Sequence, residues 1–321
     1  MKIGNTPLVK IDDIYAKLEC TNPCGSIKDR IAKYIIDESE RKGLLKKGMT
    51  IVEATSGNTG ISVSYYGVSK GYKVIIVMPE NMTKERQKII RHMGAELVLC
   101  KAGDFVEAAR IRDEMAKQPG FFNPDQFSNP LNVECHYKTT GQEIISQMKE
   151  HSNSIDAFVA GIGTGGSIIG VAQALKEINP KVYIAAVEPT ESAVMSGKPS
   201  GLHGIQGIGD GFIPAIATDG KDGLHRYIDK VICISTQEAT EAAKYLCDKH
   251  GYCVGISSGA NYLAAKQLSK KFATVVTVFS DGYLKYQSQG LTPCKEGHCK
   301  HLEESENVIF QYYYDSEHKK K

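Results

Sequence analysis

The stretch Thr50-Ile51-Val52-Glu53-Ala54-Thr55-Ser56-Gly57-Asn58-Thr59-Gly60 passes from a β-branched run into a glycine-bearing turn, and a helical pattern follows from Ile61 to Lys70. It reads as strand, turn and helix. The same order recurs outward from it. Lys73-Val74-Ile75-Ile76-Val77-Met78 is a buried strand by length and branching, stopped by Pro79. Thr83 opens a helix through Met93 with Gly94 beyond its end, Glu96 to Cys100 is a strand, and Asp104 to Lys117 is a helix. In the second half, Ala157-Phe158-Val159-Ala160 runs into Gly161-Ile162-Gly163-Thr164-Gly165-Gly166-Ser167 and a helix to Ile178, followed by a strand at Val182 to Val187. Ser235, with Glu238 three residues on, is a capping box for a helix to His250; Gly259 to Lys271 is helical, and Thr274 to Phe279 is a final buried strand. Short strands alternating with helices predict an α/β fold with parallel sheets and right-handed crossovers. A Pro- and Asn-bearing stretch between residues 120 and 150 separates two such runs, so two lobes are expected.

Composition bounds the function. The 321 residues are 41% apolar and 24% charged, enough to bury a substantial core. Lys and Arg number 39 against 37 Asp and Glu, a net charge of +2 that argues against a nucleic-acid binder or a polybasic membrane protein. No apolar run approaches the roughly 20 residues of a membrane span. Met1-Lys2-Ile3-Gly4-Asn5-Thr6-Pro7 has no signal-peptide apolar stretch, so a cytoplasmic protein is expected. Nine scattered cysteines, an odd number, read as reduced thiols. The 31 glycines cluster, and the clusters mark four constellations.

In Asn22-Pro23-Cys24-Gly25-Ser26-Ile27-Lys28, a lysine stands just past a Pro/Gly turn at the start of a helix. The helix dipole and partial burial would lower its pKa and free the amine to attack a carbonyl; taken alone, it reads rather as a solvated first-turn lysine. The Thr55–Gly60 turn converges backbone N–H groups and hydroxyls where a helix favours an anion such as a carboxylate, or it is an ordinary capped turn. Gly161–Ser167 lets the backbone approach a phosphate. Gly161, Gly163 and Gly166 with Glu188 also satisfy a dinucleotide fingerprint, although Thr164 and Ser167 suit a terminal monophosphate better. In Gly255-Ile256-Ser257-Ser258-Gly259-Ala260-Asn261, the serines either cap a helix or offer a neutral hydroxyl to a ligand. A reactive lysine, an anion turn, a phosphate cup and a neutral hydroxyl together are the parts of a pyridoxal phosphate site.

At this point the chain resembles the cysteine synthase and cystathionine β-synthase family of fold-type II pyridoxal phosphate enzymes. The likeness starts at Ile3-Gly4-Asn5-Thr6-Pro7-Leu8 and extends to residue 290. It takes in Gln126-Phe127-Ser128-Asn129-Pro130, His136-Tyr137-Lys138-Thr139-Thr140-Gly141 and Gly204-Ile205-Gln206-Gly207-Ile208-Gly209. The resemblance implies two lobes, each a mostly parallel twisted sheet flanked by helices, with the cofactor in the cleft between them. A smaller, mobile N-terminal lobe would be 22–140, a larger cofactor-binding lobe 1–21 and 141–293, and a charged tail 294–321 would lie on the surface. It further implies Lys28 as the Schiff-base lysine and α-proton shuttle, and Gly163, Thr164, Gly165, Gly166 and Ser167 as the phosphate loop. Asn58 would meet the cofactor's 3′-oxygen and Ser257 its pyridine nitrogen, while Thr55, Ser56, Gly57, Thr59 and Gln126 would hold the substrate carboxylate. A neutral serine at the pyridine nitrogen weakens the electron sink and favours β-elimination over transamination or racemisation.

The expected activity is therefore β-replacement on a small β-substituted alanine through an aminoacrylate intermediate, like cysteine synthase (O-acetylserine sulfhydrylase). Two alternatives stand beside it: a cysteine lyase that releases hydrogen sulfide and forms serine by adding water, and an NAD-binding oxidoreductase. Expected partners are small amino-acid substrates and a second copy in a homodimer, with no nucleic acid and no membrane. Nothing in this sequence supports a serine acetyltransferase partner, which the resemblance alone leaves open. The chain departs from its relatives at Asp210, where cysteine synthases carry a small apolar residue. A carboxylate there would activate water or an incoming amine and repel hydrosulfide, or it is a solvent-facing turn residue. The N-terminus is shorter than in most relatives, and haem-binding and regulatory extensions are missing. Cys294, His298, Cys299 and His301 do not have strong zinc spacing, and no metal is expected.

Overall fold

The structure, a computed structural model, describes residues 2–55, 57–151, 154–219, 223–291, 307–309 and 311–312. An antiparallel pair comes first, β1 (Leu8–Ile11) and β2 (Ile14–Leu18), joined across a turn in which Asp12 has φ 51°. Next come α1 (Lys28–Arg41), β3 (Thr50–Ala54), α2 (Asn58–Ser69), β4 (Lys73–Pro79), α3 (Lys84–His92), β5 (Glu96–Cys100), α4 (Phe105–Ala116) and β6 (Phe121–Phe122). The chain continues through α5 (Pro130–His136), a π-helical turn (Tyr137–Gly141), α6 (Gln142–Met148), β7 (Ala157–Gly161), α7 (Gly166–Ile178) and β8 (Tyr183–Pro189). It closes with β9 (Lys230–Ile234), α8 (Thr236–His250), α9 (Ile256–Ser269) and β10 (Val275–Phe279).

The chain divides into two compact units, 28–131 and 1–27 with 132–321. The smaller has a parallel sheet in the order β5-β4-β3-β6, with Val52, Ala54, Ile75, Val77, Cys100 and Ala108 packed as its core. The larger has the order β1-β2-β10-β7-β8-β9, parallel except for β1 against β2. Phe158, Ile168, Val171, Leu175, Ile184, Val276 and Val278 are among its core residues. Strand order departs from chain order in both sheets, so the strand-to-helix turns of β3 and β7 open at sheet positions where such α/β proteins bind ligands.

Local signals explain most boundaries. Ser235 Oγ accepts the Glu238 N–H while Glu238 returns to the Ser235 N–H, the expected capping box, and Gly251 ends α8 in the left-handed region at φ 71°. Asp104 caps α4 by accepting the Glu107 N–H at 2.8 Å. Two helices begin earlier than expected: α2 at Asn58 rather than Ile61, and α9 at Ile256 rather than Gly259. Their first turns are mostly polar or glycine, Ile256 excepted, and such a turn carries little apolar period to read.

The β1–β2 hairpin was not expected at all. β2 is buried along its length and includes Lys17, and that charge needs partners. Lys17 Nζ donates to the Thr6 carbonyl and to Gln147 Oε1 at 2.8 Å, and lies 2.8 Å from Glu143 Oε2. The tail also differs from a surface appendage where it is described. Asn307 and Ile309 are buried, because Ile309 packs its apolar side chain inward and Asn307 donates to the Cys20 carbonyl at 3.1 Å.

Candidate active site

The smaller unit carries the anion turn. β3 ends at Ala54, Thr55 is buried behind it, and α2 starts at Asn58, so the turn delivers the free N–H groups of a 12-residue helix. Thr55 Oγ1 accepts the Gly57 N–H at 3.2 Å. Thr59 Oγ1 donates to Gln126 Oε1 at 2.6 Å, bringing together two expected carboxylate ligands that lie 67 residues apart. That bond fixes which way the Gln126 amide faces, with Oε1 turned to Thr59. Asn58 is half-buried on the first turn of α2, Lys28 is half-buried as the first residue of α1, and Ser56 lies outside the described residues.

Two groups there were not singled out from sequence. Arg86 is almost fully buried, and a Cβ on Gly57 would stand 2.5 Å from its Nε, so a cation lies against the anion turn. Glu53, wholly buried one residue before the end of β3, accepts the Ala54 N–H at 2.9 Å, and the Gln126 N–H also points to its carboxylate. Burial pushes the Glu53 carboxyl up to about 7 against the opposing charge of Arg112, whose Nη1 is 3.6 Å from Oε1. The backbone of Gln126, one of the expected carboxylate ligands, is thus fastened to a buried acid. Neither residue stands in a glycine motif, so local pattern carried no signal for them.

The larger unit carries the phosphate loop between β7 and α7. Gly165 has φ 86° and caps α7 with no side-chain bond, so past Gly166 the early N–H groups of this 13-residue helix, those of Ser167 and Ile168, have no intrahelical acceptor and suit an anion. Side chains are excluded at two of the glycines: a Cβ on Gly163 would lie 2.3 Å from the Gly207 carbonyl oxygen, and one on Gly166 would lie 1.9 Å from Asn132 Oδ1. Thr164 Oγ1 receives Asn132 Nδ2 at 3.0 Å and the Gly166 N–H at 3.5 Å. With both acceptor positions used, its O–H is left to donate to an anion. Ser167 is half-buried beside it on α7. Such a cradle of amides and hydroxyls fits the phosphate of pyridoxal phosphate.

Ser257 and Ser258 occupy the first turn of α9, whose N-cap is Gly255, so neither serine caps the helix. Both are buried, and Ser258 Oγ finds no hydrogen-bond partner among the described residues, so this turn presents hydroxyl capacity that the protein itself does not use. One turn further on, Asn261 Oδ1 accepts the Gly161 N–H at 2.8 Å while its Nδ2 donates to the Val278 carbonyl at 2.8 Å. That asparagine ties the serine helix to the head of the phosphate loop. Asp210 is exposed, and its Oδ2 lies 3.8 Å from the Cβ position of Gly163.

The ribose role that a dinucleotide site asks of Glu188 is not what the structure shows. Glu188 is wholly buried and accepts the N–H groups of Met195 at 2.8 Å and Ser196 at 3.0 Å, so it anchors the turn after β8. Cys294, His298, Cys299 and His301 lie outside the described residues. Among the described residues no helix is long and apolar enough to cross a membrane, and no cluster of metal-ligating side chains occurs.

Comparison with known proteins agrees with this construction. Residues 1–281 match the family described as pyridoxal-phosphate dependent enzyme. The chain is 42% identical over 301 residues to the cysteine synthase of Staphylococcus aureus, covering 90% of this chain and 94% of that one. Among solved structures, cysteine synthase from Entamoeba histolytica superposes with a TM-score of 0.83 at 38% identity, over 90% of this chain and 88% of that one. A hydrogen sulfide-producing enzyme from Fusobacterium nucleatum gives a TM-score of 0.84 at 39% identity, over 90% and 89% of the two chains.

Proposed function

The chain belongs to the pyridoxal-phosphate dependent enzyme family, and from that premise we propose that it carries out β-replacement on a small β-substituted alanine, as cysteine synthases do. When bound, the cofactor supplies an electron sink for the substrate's α-carbon, which lets an α-proton leave and a β-substituent be expelled. Lys28 Nζ holds the cofactor's aldehyde carbon and carries the α-proton. The N–H groups of Gly163–Ser167 and the Thr164 hydroxyl hold its phosphate, the Asn58 amide meets its 3′-oxygen, and Ser257 offers a neutral hydroxyl to the pyridine nitrogen. Thr55, Ser56, Gly57, Thr59 and Gln126 bind the substrate carboxylate.

The observation that carries the reading is the Thr59–Gln126 bond at the N-terminus of α2, which draws two polar side chains from 67 residues apart to a helix start that suits an amino-acid carboxylate. The same reading, supported by the family likeness, takes the protein to be a cytoplasmic homodimer. The test is product analysis with O-acetylserine, O-phosphoserine, serine and cysteine, each with and without sulfide, on protein reconstituted with pyridoxal phosphate. Cysteine formed from an activated serine and sulfide is expected. Absence of any amino-acid product while the cofactor's visible band is intact would overturn the proposal.

A second reading, release of sulfide from cysteine with serine formed by water addition, is favoured by Asp210 standing beside Gly163. Its carboxylate would take the proton of an incoming water and repel hydrosulfide. Asp210→Ala should shift partitioning from sulfide release toward cysteine synthesis; unchanged partitioning would remove Asp210 from the chemistry.

A further inference from the structure

The turn Asn22-Pro23-Cys24-Gly25-Ser26 leads directly to Lys28 and has no regular ladder of its own. Apart from the Gly25 N–H, which donates to the Asn22 carbonyl at 2.7 Å, several of its backbone polar groups find partners outside the turn. The Gly25 carbonyl accepts from Lys285 Nζ at 2.9 Å, and the Ile27 N–H donates to the Ser280 carbonyl at 2.9 Å. Two further carbonyls are met from the far end of the chain. The Val308 N–H donates to the Pro23 carbonyl at 2.8 Å, and Asn307 Nδ2 donates to the Cys20 carbonyl at 3.1 Å across a separation of 287 residues.

The donor segment is itself ordered by local chemistry. Asn307 Oδ1 accepts the Ile309 N–H at 3.0 Å and the Asn307 carbonyl accepts the Gln311 N–H at 3.1 Å, so Asn307 caps a short helical turn. Asn307 and Ile309 are each 1% exposed. Gly25 sits at φ +67°, a left-handed backbone that favours glycine, and a Cβ there would stand 3.1 Å from Asn307 Nδ2, so the two segments meet closely.

We propose that Asn307–Ile309 is a positioning element for Lys28: by holding the Cys20 and Pro23 carbonyls it fixes the turn from which Lys28 enters α1. This rests on the reading of Lys28 as the residue that bonds the cofactor. Loss of either tie leaves a buried carbonyl without its donor and loosens the approach to Lys28, and small misplacements of a reacting amine are costly.

The test uses full-length holoenzyme and two variants. Val308→Pro deletes the donor to Pro23 yet suits the first position after a cap, so the short turn keeps its form. Asn307→Ala deletes the donor to Cys20. For both we expect the cofactor's dissociation constant to rise about fivefold or more, the size of one lost hydrogen bond, and kcat to fall while the KM of the amino-acid donor holds. A visible band that borohydride reduces in the wild type but not in Lys28→Ala establishes the role of Lys28 separately; its absence sinks that role and this proposal with it. With the band present, a lower unfolding midpoint in both variants but an unchanged cofactor dissociation constant and absorption maximum would make the segment merely structural and overturn the proposal.

Discussion

Thr59 and Gln126 show how much chemistry one contact carries. The hydroxyl proton of Thr59 is committed to Gln126 Oε1 at 2.6 Å, which aims the Gln126 NH₂ group. Thr59→Val should raise the KM for the amino-acid donor about fivefold, since it removes the neutral hydrogen bond that aims the Gln126 amide, worth roughly 1 kcal/mol, with a smaller change in kcat. Steady-state kinetics on each donor would check this. Gly166 has a steric role: a Cβ there overlaps Asn132 Oδ1 at 1.9 Å, and that asparagine also supports Thr164. Gly166→Ala should weaken cofactor binding more than about tenfold, read by titrating the apoprotein, because the cavity is overpacked where the loop must accept an anion.

Glu53 couples the same region to pH. Its folded value of about 7 lies above the ordinary 4.5, so between those values the folded protein keeps a proton that the unfolded chain releases. Its contribution to stability therefore falls as pH rises through that window, by up to about 1.4 kcal/mol per pH unit. Glu53→Gln lacks this slope, so its unfolding free energy relative to wild type should rise between pH 5 and pH 7 in urea titrations. A constant difference across that range would show that Glu53 does not titrate there.

At the level of elements, caps settled the boundaries that sequence made legible. α8 starts where Ser235 and Glu238 bond reciprocally and stops at left-handed Gly251. Ser235→Ala should lower stability by about 1 kcal/mol and leave kcat unchanged, since α8 presents no proposed site residue. Thermal unfolding with parallel rate measurements would check both halves. The first turns of α2 and α9 were missed because Asn58 and Thr59, and Ser257 and Ser258, set up no apolar period to read. The alternation of strands with glycine turns nevertheless located each functional turn, since a β-branched run followed by Gly and Ser or Thr has few other local solutions.

For the whole molecule, β1 and β2 enlarge the sheet of the larger unit, with β10 parallel to β2 at the register Val276↔Tyr15 to Phe279↔Leu18. Removing residues 1–12 would turn β2 into a bare edge and strip Lys17 of the Thr6 carbonyl. An exposed, apolar, unpaired strand invites association. The truncated chain should therefore give a smaller soluble fraction and elute as aggregate on size exclusion, where the intact chain elutes as one species.

What the sequence determined by itself was local and chemical: α/β alternation, the glycine turns that lead into helices, the position of Lys28 at a helix start, and the family. These follow from periodicity, turn chemistry and motif, which act over a few residues. Only the tertiary structure decided which distant groups meet. It placed Gln126 on Thr59, Asn132 beneath the phosphate loop, Asn261 against Gly161, and Glu188 on the turn at Met195 rather than on a ribose. It also buried Asn307 against Cys20 in a tail whose charge suggested solvent. The reason is physical: a buried polar group must find a partner, but the partner is chosen by how the chain packs, and packing joins residues whose spacing along the chain carries no period.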